Sequence, residues 1–329
     1  MLNCSSLPPI AILGAGAWGT ALAIHLARQG QAVRLWSYDP QQVAAINQTH
    51  HNTRYFPEYR LSETIVALKT IAETITPVED ILIAVPSLAF RDTLHHLAAD
   101  LKPHHRLVWA TKGLDATTHQ PLHEIAQAIL GSIDKAILSG PSFAREVAVG
   151  LPTAVTLASQ QPPFLEALAK RFRSPQFRVD CTQDVLGVEL GGAVKNTIAI
   201  AMGIVDGLEF GANTKAALMT QALTEMIALG RALGAQQETF LGLSGLGDLI
   251  LTCTDNQSRS LALGQGQTLE KASASIGTTE GLVAARHVFY LLQQHPHVEA
   301  PLCTAVYRIL YKHAPMTILL DFFNQTTAS

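Results

Sequence analysis

Three glycines at fixed spacing follow the first apolar run of the chain, in the sequence Gly14-Ala15-Gly16-Ala17-Trp18-Gly19. The apolar run at residues 10–13 predicts a buried strand, and residues 17–29 have the pattern of a helix. A strand, a glycine turn and a helix in this order begin a dinucleotide-binding βαβ unit. The glycines permit a tight turn, a close backbone approach to a pyrophosphate and close packing of helix on strand. We therefore expect a dinucleotide site at the amino-terminal end of the first helix.

Short apolar runs continue to alternate with helical segments up to about residue 180. Uninterrupted apolar strands separated by helices are typical of a mostly parallel sheet that is covered by helices on both faces. This part of the chain is therefore predicted to be an α/β domain with a Rossmann-like, doubly wound sheet. After the first strand, the sequence predicts strands at 32–36, 81–85, 106–110, 136–138, 153–158 and 177–179, and a helix at 89–101.

From residue 184 onward strand signals disappear and helical periodicity dominates. Gly211 and Gly234 stand where helices are expected to end. A length of 329 residues also favours two domains. We predict a dinucleotide-binding domain at residues 1–185 and an all-helical substrate and catalytic domain at residues 186–329. The helices of the second domain are expected at 185–208, 213–233, 279–294 and 301–313.

Composition narrows the classes of partner and environment. A net charge of −3 gives no general attraction to nucleic acid or to acidic membranes. No apolar stretch is long enough to span a membrane without breakers, so we expect no stable membrane insertion, and the amino-terminal residues do not have the pattern of a signal peptide. Four widely separated cysteines predict buried free thiols in a reducing cytoplasm. The paired histidines at 50–51, 95–96 and 104–105 are expected on the solvated surface, and we predict no metal site.

A lysine stands alone among small and apolar residues in the run Gly191-Gly192-Ala193-Val194-Lys195-Asn196. If residues 185–202 form a helix, Lys195 lies on a face that is otherwise apolar or small. An ammonium on such a face loses hydration, which lowers its pKa toward the range where it exchanges protons near neutral pH. The other interpretation is a lysine that extends to the surface. The two glycines allow this helix to approach a ligand or neighbouring structure closely.

Several further motifs occur in order along the chain. They are Trp109-Ala110-Thr111-Lys112-Gly113-Leu114, Ser139-Gly140-Pro141-Ser142-Phe143-Ala144, Gly245-Leu246-Gly247-Asp248-Leu249 and Thr252-Cys253-Thr254-Asp255-Asn256-Gln257-Ser258-Arg259. Together with the glycine loop and the Lys195 segment, these motifs resemble those of the bacterial NAD(P)-dependent sn-glycerol-3-phosphate dehydrogenases. The resemblance extends from residue 10 to residue 315.

The resemblance implies an oxidoreductase that transfers a hydride reversibly between NADH or NADPH and dihydroxyacetone phosphate. The product, sn-glycerol 3-phosphate, would serve glycerophospholipid synthesis, and the resemblance also implies a homodimer. Lys195 would be the catalytic proton donor and acceptor. The implied substrate-binding residues are Lys112, Gly140, Ser142, Lys195, Asp248, Ser258, Arg259 and Ser260. The implied contacts of the NAD or NADP cofactor are Gly14, Gly16, Ala17, Trp18, Gly19, Tyr38, Lys112, Ala144, Arg259, Thr279 and Glu280.

The chemistry of the residues agrees with these implied roles. Lys112 follows the carboxyl end of the strand at 106–110, where open parallel sheets bind ligands. Arg259 offers a planar fork that binds phosphate through two hydrogen bonds. Asp248 lies between glycines before a predicted helix, and it could cap that helix, pair with Lys195, or do both. Asp39 could hold a ribose 2′-hydroxyl or cap the helix that begins at Pro40, so the choice between NAD and NADP stays open.

The chain departs from the family pattern in two places. The segment after Arg259 is shorter, with Ser260 where the pattern has asparagine, and residues 277–281 are one residue short. Two alternatives are a related two-domain dehydrogenase that acts on another small substrate and a catalytically silent NAD(P)-binding regulator. Lys112 and Arg259 favour a phosphorylated substrate over the first alternative. The retained Lys195 and Asp248 favour an enzyme over the second.

Overall fold

A computed structural model describes residues 7–254 and 279–324 of the chain. The chain separates into two compact units. The first takes in residues up to Thr111 together with His123–Val185, and the second takes in Lys112–Leu122 together with the chain from Leu186 onward. Residues 112–122 therefore belong with the second unit, although they follow a strand of the first.

The first unit is built on an eight-stranded, mostly parallel sheet with the order β10-β9-β8-β7-β6-β1-β2-β5. Only the β8–β9 pair within this sheet is antiparallel, and β3 and β4 form a separate antiparallel pair. The prediction of a doubly wound, mostly parallel α/β fold is confirmed. The strands are β1 Ile10–Leu13, β2 Val33–Trp36, β3 His51–Asn52, β4 Phe56–Arg60, β5 Ile65–Leu68, β6 Asp80–Ile83, β7 Arg106–Trp109, β8 Lys135–Ser139, β9 Thr153–Ala158 and β10 Phe177–Thr182.

The central strands explain where a ligand site forms in this unit. Every residue of β1 and of β6 is buried, as expected for strands that helices cover on both faces. The chain order reverses at β1, which has β2 on one side and β6 on the other. Open α/β sheets bind ligands beyond the carboxyl ends of their strands at such a reversal. The glycine loop, Gly14–Gly19, follows β1 directly at this point.

The described residues of the first unit form seven helices, and a buried ion pair joins one of them to the sheet. Arg171 Nε lies 2.9 Å from Asp80 Oδ2, and both side chains are almost fully buried. Arg106 Nε donates to the other oxygen of Asp80 at 2.8 Å. These helices are α1 Ala17–Arg28, α2 Pro40–Thr49, α3 Ile71–Ile75, α4 Ser87–Ala98, α5 Leu122–Leu130, α6 Ala144–Val149 and α7 Pro162–Phe172.

His105 corrects one expectation from the sequence. Its side chain is buried rather than solvated: Nδ1 accepts a hydrogen bond from Lys102 N at 2.9 Å, and Nε2 faces Ile75 O at 3.2 Å. Burial lowers the pKa of His105. Its position in a polar loop was a misleading signal, because the ring has backbone partners from the loop itself, at Lys102, and from the end of α3, at Ile75.

The regular elements of the second unit's described residues are helices, apart from one isolated β-bridge between Leu114 and Pro121, which confirms that part of the predicted fold. The expectation that no apolar stretch is long enough to span a membrane is wrong for α8, the longest described helix, because its length and composition would suffice. However, 94% of its most apolar window is buried inside the protein, which agrees with the expected lack of membrane insertion. α8 is therefore the central core helix of this unit. The unit contains α8 Val185–Gly207, α9 Ala212–Ala232, α10 Gln237–Leu241, a π-helical segment Leu243–Gly247, α11 Asp248–Thr254, α12 Thr279–Gln294, α13 Pro301–Lys312 and a 3-10 helix Met316–Asn324.

A buried glutamate caps one of these helices. Glu225 on α9 accepts hydrogen bonds from Leu302 N at 2.7 Å and from Cys303 N at 2.9 Å, in the first turn of α13. Backbone N–H groups at a helix start lack intrahelical acceptors, so the carboxylate satisfies two of them. Burial nevertheless raises the pKa of Glu225.

The described cysteines only partly follow the expectation of buried thiols. Cys253 and Cys303 are buried and free, whereas Cys181 at the end of the sheet is free and exposed. The prediction is wrong for Cys181, because β10 is the edge strand and one of its faces is open to solvent. Cys4 lies outside the described residues.

Candidate active site

Two lysines share one buried carboxylate in the second unit. Lys195 Nζ donates to Asp248 Oδ1 at 2.6 Å, and Lys112 Nζ donates to Asp248 Oδ2 at 2.7 Å. Asp248 is 1% exposed and Lys195 8% exposed, whereas the side chain of Lys112 is 21% exposed. With both lysines protonated, the group carries one excess positive charge. Such a site favours an anionic ligand or a developing negative charge.

Thr252 completes this arrangement. Its Oγ1 accepts a hydrogen bond from Lys195 Nζ at 3.1 Å and donates to the backbone oxygen of Asp248 at 2.6 Å. Thr252 begins one of the sequence motifs, but it is not among the residues to which the sequence assigned a role. Its spacing of four residues from Asp248 was the available indication, since residues four apart lie on one face of a helix.

Glycines allow α8, which carries Lys195, to pack closely on the π-helical segment that precedes Asp248. A Cβ atom on Gly191 of α8 would overlap the backbone oxygen of Ser244 in the π-helical segment. Within that segment, a Cβ atom on Gly245 would overlap the backbone of Phe240. The bare backbone of α8 therefore packs directly on the π-helical segment, and Lys195, four residues after Gly191, lies on the same helical face. π-Helical turns occur frequently at functional sites.

The environment of Lys195 changes its proton affinity. Burial lowers the pKa of Lys195 to about 8; the nearby cation of Lys112 lowers this pKa too, while Asp248 raises it without cancelling the effect of burial. The sequence allowed two interpretations of Lys195, a buried ammonium and a lysine that extends to the surface. The structure agrees with the buried ammonium. Both protonation states of Lys195 are accessible near neutral pH, as general acid–base catalysis requires.

The glycine loop of the first unit has the geometry of a phosphate-binding turn. Gly14 has φ +124°, and a Cβ atom there would lie 2.7 Å from the oxygen of Ala84, beyond β6. A Cβ atom on Gly19 would overlap the oxygen of Gly14, whereas one on Gly16 would meet nothing within 4 Å. Packing thus requires the outer two glycines, and Gly16 leaves open space at the start of α1.

The amino-terminal end of α1 fits a pyrophosphate. Gly16 precedes α1 and provides no side-chain cap, and no acidic residue lies in the first turn, which contains Ala17 and Trp18. The N–H groups and the positive end of the helix dipole are therefore available to an anion at this position. The residues present fit the phosphate part of a dinucleotide.

The turn after β2 shows one of the two roles considered for Asp39, and contact with a ribose hydroxyl stays a prediction. The carboxylate of Asp39 accepts from Gln41 N at 2.9 Å and from Gln42 N at 3.4 Å, so it caps α2. Tyr38, directly before it, is 76% exposed. The capping role of Asp39 does not distinguish NAD from NADP.

The loop after β8 contains the remaining site residues of the first unit. Gly140 has φ +136°, and a Cβ atom there would lie 3.0 Å from Val155 Cα. Ser142 Oγ donates to Gly140 O at 3.0 Å, and Ala144 begins α6. These contacts fix the loop shape and leave a role in ligand binding as a prediction.

Several predicted residues lie beyond what the structure describes. Ser258, Arg259 and Ser260 fall outside the described residues. Thr279 and Glu280 begin α12, and only their backbone is described. Within residues 7–254 and 279–324, no group of three or more His, Cys, Asp or Glu side chains is arranged to hold a metal ion.

Comparison with known proteins accounts for both units. The family model for the N-terminus of NAD-dependent glycerol-3-phosphate dehydrogenase matches residues 9–165, and the model for its C-terminus matches residues 184–321. The chain belongs to the NAD-dependent glycerol-3-phosphate dehydrogenase family. The resemblance inferred from the motifs is confirmed, and the matched residues include the glycine loop and both lysines.

Individual relatives match over nearly their whole length. The chain is 47% identical over 310 residues to NAD(P)+ glycerol-3-phosphate dehydrogenase of Haemophilus ducreyi, and the aligned region covers 92% of each chain. It is 49% identical over 312 residues to the enzyme of the same name from Thioalkalivibrio sulfidiphilus, which covers 93% of each. The crystal structure of glycerol-3-phosphate dehydrogenase from Coxiella burnetii superposes with a TM-score of 0.92 at 46% identity, over 97% of this chain and 99% of that one.

Proposed function

We propose that this protein transfers a hydride reversibly between NADH or NADPH and dihydroxyacetone phosphate, with sn-glycerol 3-phosphate as the product. One observation above all supports the proposal: Lys195 and Lys112 share the buried carboxylate of Asp248. This arrangement supplies an excess positive charge and a transferable proton in a family whose relatives are glycerol-3-phosphate dehydrogenases by name. A regulator without catalytic activity has no need of a buried lysine with a lowered pKa.

The cofactor site is proposed at the glycine loop. When bound, the nicotinamide supplies the hydride for reduction and accepts it in oxidation. The open space at Gly16 and the uncapped start of α1 would hold the pyrophosphate, with Ala17 and Trp18 in contact. By family resemblance, Tyr38 and Ala144 would also contact the cofactor, together with Lys112, Arg259, Thr279 and Glu280.

Lys195 is proposed as the proton donor and acceptor. During reduction, the carbonyl oxygen of the substrate becomes an alkoxide as the hydride arrives at its carbon. The ammonium of Lys195 hydrogen-bonds this oxygen, stabilises its charge and gives it a proton. In the reverse direction, the neutral amine takes the hydroxyl proton. The pKa of about 8 makes both directions feasible near neutral pH.

Asp248 and Lys112 are proposed to prepare Lys195 and to bind the substrate. Asp248 holds the ammonium of Lys195 in place, and Lys112 keeps that pKa low by charge repulsion. The more exposed Lys112 also offers N–H donors to the oxygens of an anionic substrate. By resemblance, Gly140 and Ser142 would line the substrate, and Ser258, Arg259 and Ser260 would bind its phosphate.

A substrate panel tests this function. The purified protein is incubated with NADH or NADPH and with dihydroxyacetone phosphate, dihydroxyacetone or a short keto acid. We expect cofactor oxidation with dihydroxyacetone phosphate and much less with the unphosphorylated ketone, because the phosphate is needed for binding. Preference for a keto acid would support a related dehydrogenase of other specificity. Cofactor binding without oxidation of any substrate would support a silent regulator.

The biological setting follows from the same proposal. sn-Glycerol 3-phosphate is the backbone of glycerophospholipids, so we propose that the enzyme supplies their synthesis. By resemblance we also propose a homodimer in the cytoplasm. Sedimentation of the purified protein tests the homodimer, because a dimer of this 35.3 kDa chain has twice the monomer mass.

A further inference from the structure

One carbonyl of the glycine loop receives two side-chain hydrogen bonds. Ala15 O, between the first two glycines, accepts from Asn52 Nδ2 at 3.0 Å and from Gln42 Nε2 at 2.9 Å. Asn52 lies on β3, outside the main sheet, and is 1% exposed; Gln42 lies on α2. Two elements that follow β2 thus meet at a single peptide of the glycine loop.

The surrounding hydrogen bonds fix the orientation of both side-chain amides. Asn52 Nδ2 also donates to Thr20 Oγ1 at 2.8 Å, and Asn52 Oδ1 accepts from Gln42 Nε2 at 2.9 Å. Gln42 Oε1 accepts from Ser37 Oγ at 2.6 Å. A flip of the Asn52 amide would place its oxygen against the oxygen of Ala15, so the network admits one arrangement. Both donors therefore remain directed at Ala15 O.

The geometry of a peptide carries this constraint to Gly16. The Ala15–Gly16 peptide is trans, so its C=O and N–H groups point in opposite directions. With Ala15 O held by Asn52 and Gln42, the N–H of Gly16 is directed away from those side chains. It lies at the start of α1, at the residue where an added Cβ would meet nothing within 4 Å.

We propose that Asn52 and Gln42 are positioning residues for cofactor binding: they lock the Ala15–Gly16 peptide so that the Gly16 N–H is presented to the pyrophosphate. The inference rests on the proposed cofactor site. A donor that is already oriented loses no conformational freedom on binding, so the lock strengthens the interaction with the anion. Because Gln42 is also bonded to Ser37 after β2, the lock joins the pyrophosphate-binding loop to the turn where the adenosine ribose is expected in this fold.

Two nearly isosteric substitutions test the lock. Asn52→Asp keeps the shape of the side chain but replaces the donor to Ala15 O with a carboxylate oxygen, which repels that carbonyl. Gln42→Met removes the second donor from a partly buried position on α2 with little change in volume. Each variant removes one donor to the same carbonyl, and the two donors lie on different elements. The proposal therefore remains testable if one of the variants fails to fold.

The chain offers a matched control at Asn47. Its side chain also makes two hydrogen bonds with backbone: Nδ2 donates to Ala67 O and Oδ1 accepts from Ala67 N, both at 2.9 Å. These bonds join α2 to β5 without touching the glycine loop. Asn47→Ala therefore shows how much cofactor binding and thermal stability change when α2 is loosened without any change at the glycine loop. Its melting temperature is compared with those of the two test variants.

The measurements are dissociation constants for NADH and NADPH, by fluorescence titration, and the shift of the Gly16 amide signal on cofactor binding in glycine-labelled protein. We expect each test variant to bind cofactor about tenfold more weakly. Without the lock, the Gly16 N–H is no longer held toward the pyrophosphate, and its hydrogen bond to that anion is weakened. The Gly16 amide shift should shrink in both, while Asn47→Ala retains the original values. Equal dissociation constants and equal Gly16 shifts in folded test variants and control would overturn the inference alone. No cofactor binding by the unaltered protein would overturn the proposed function and the inference with it.

Discussion

Asp248 Oδ1 lies 2.6 Å from Nζ of Lys195, and the carboxylate is 1% exposed. In a charge pair this deeply buried, each group compensates the charge of the other. Loss of either group leaves an uncompensated charge inside the protein. The second oxygen of Asp248 is bonded to Lys112, so one carboxylate orients two ammonium groups. The carboxylate therefore fixes the position of Lys195 without neutralising the whole site.

Replacing this carboxylate should both lower activity and change its pH dependence. Asp248→Asn removes the only interaction that raises the pKa of Lys195 among those identified, so this pKa should fall below about 8. We expect the rate of dihydroxyacetone phosphate reduction at neutral pH to fall on the order of 10²-fold or more, because less Lys195 is protonated and its position is lost. The rate and its pH profile are measured together. The matched control is Asp206→Asn, which removes another Asp–Lys pair of the second unit. A variant with normal rates and an unmoved profile would remove Asp248 from the site.

The unaltered enzyme should respond to pH in opposite ways in its two directions. Reduction requires protonated Lys195, so kcat/KM for dihydroxyacetone phosphate should fall as the pH rises through about 8. Oxidation of glycerol 3-phosphate requires the neutral amine, so its kcat/KM should rise through the same interval. Steady-state kinetics in both directions check this. Profiles that fall together or rise together are incompatible with a single proton-transferring lysine.

Close packing at Gly191 should be indispensable. Gly191→Ala places a methyl group against the backbone oxygen of Ser244, which pushes α8 away from the π-helical segment. We expect a loss of about 1–3 kcal/mol in the free energy of unfolding and a large loss of activity, since Lys195 and Asp248 are held by these two elements. Denaturant titration and kinetics measure the two effects. Gly211→Ala, where an added Cβ meets nothing within 4 Å, should retain activity. Full activity of Gly191→Ala would show that the close packing is not needed.

A buried histidine should destabilise the protein in acid. His287 on α12 is 1% exposed, its ring lies 4.7 Å from that of His119, and burial lowers its pKa to about 4. Between pH 6.5 and 4, the unfolded chain binds this proton and the folded protein does not, so stability falls as the pH falls through this interval. The contribution is roughly 3 kcal/mol over the interval.

Replacement of the ring isolates this contribution. In His287→Leu, the free energy of unfolding should decline less steeply between pH 6.5 and 4 than in the unaltered protein. Denaturant titrations at a series of pH values measure the slope, with His95→Leu at an exposed helix position as the control. Equal slopes in the variant and the unaltered protein would show that His287 is not held neutral by the fold.

Much of the fold and part of the site follow from local sequence patterns. Short windows of sequence are enough to recognise the glycine loop by its spacing, and the buried strands and the apolar face around Lys195 by their hydrophobic pattern. These signals predict structure without knowledge of distant contacts. Asn52 and Gln42 lack such a signal. Asn52 meets Ala15 across 37 residues of chain, from a two-residue strand whose polar sequence has no periodicity. The π-helical segment depends equally on contacts made by Gly191 and Gly245, which local propensity does not register.

The central claim is that Lys195 transfers the proton, and the rate of reduction by Lys195→Ala tests it most directly. The single-turnover oxidation of bound NADPH by saturating dihydroxyacetone phosphate is followed at neutral pH, beside Lys215→Ala, which removes another lysine paired with an aspartate in the second unit. We expect Lys195→Ala to lose on the order of 10²–10⁴-fold in rate with its NADPH dissociation constant unchanged, and added methylamine to restore part of the rate. Lys215→Ala should react like the unaltered enzyme. A rate for Lys195→Ala within a few-fold of the unaltered enzyme would contradict the account.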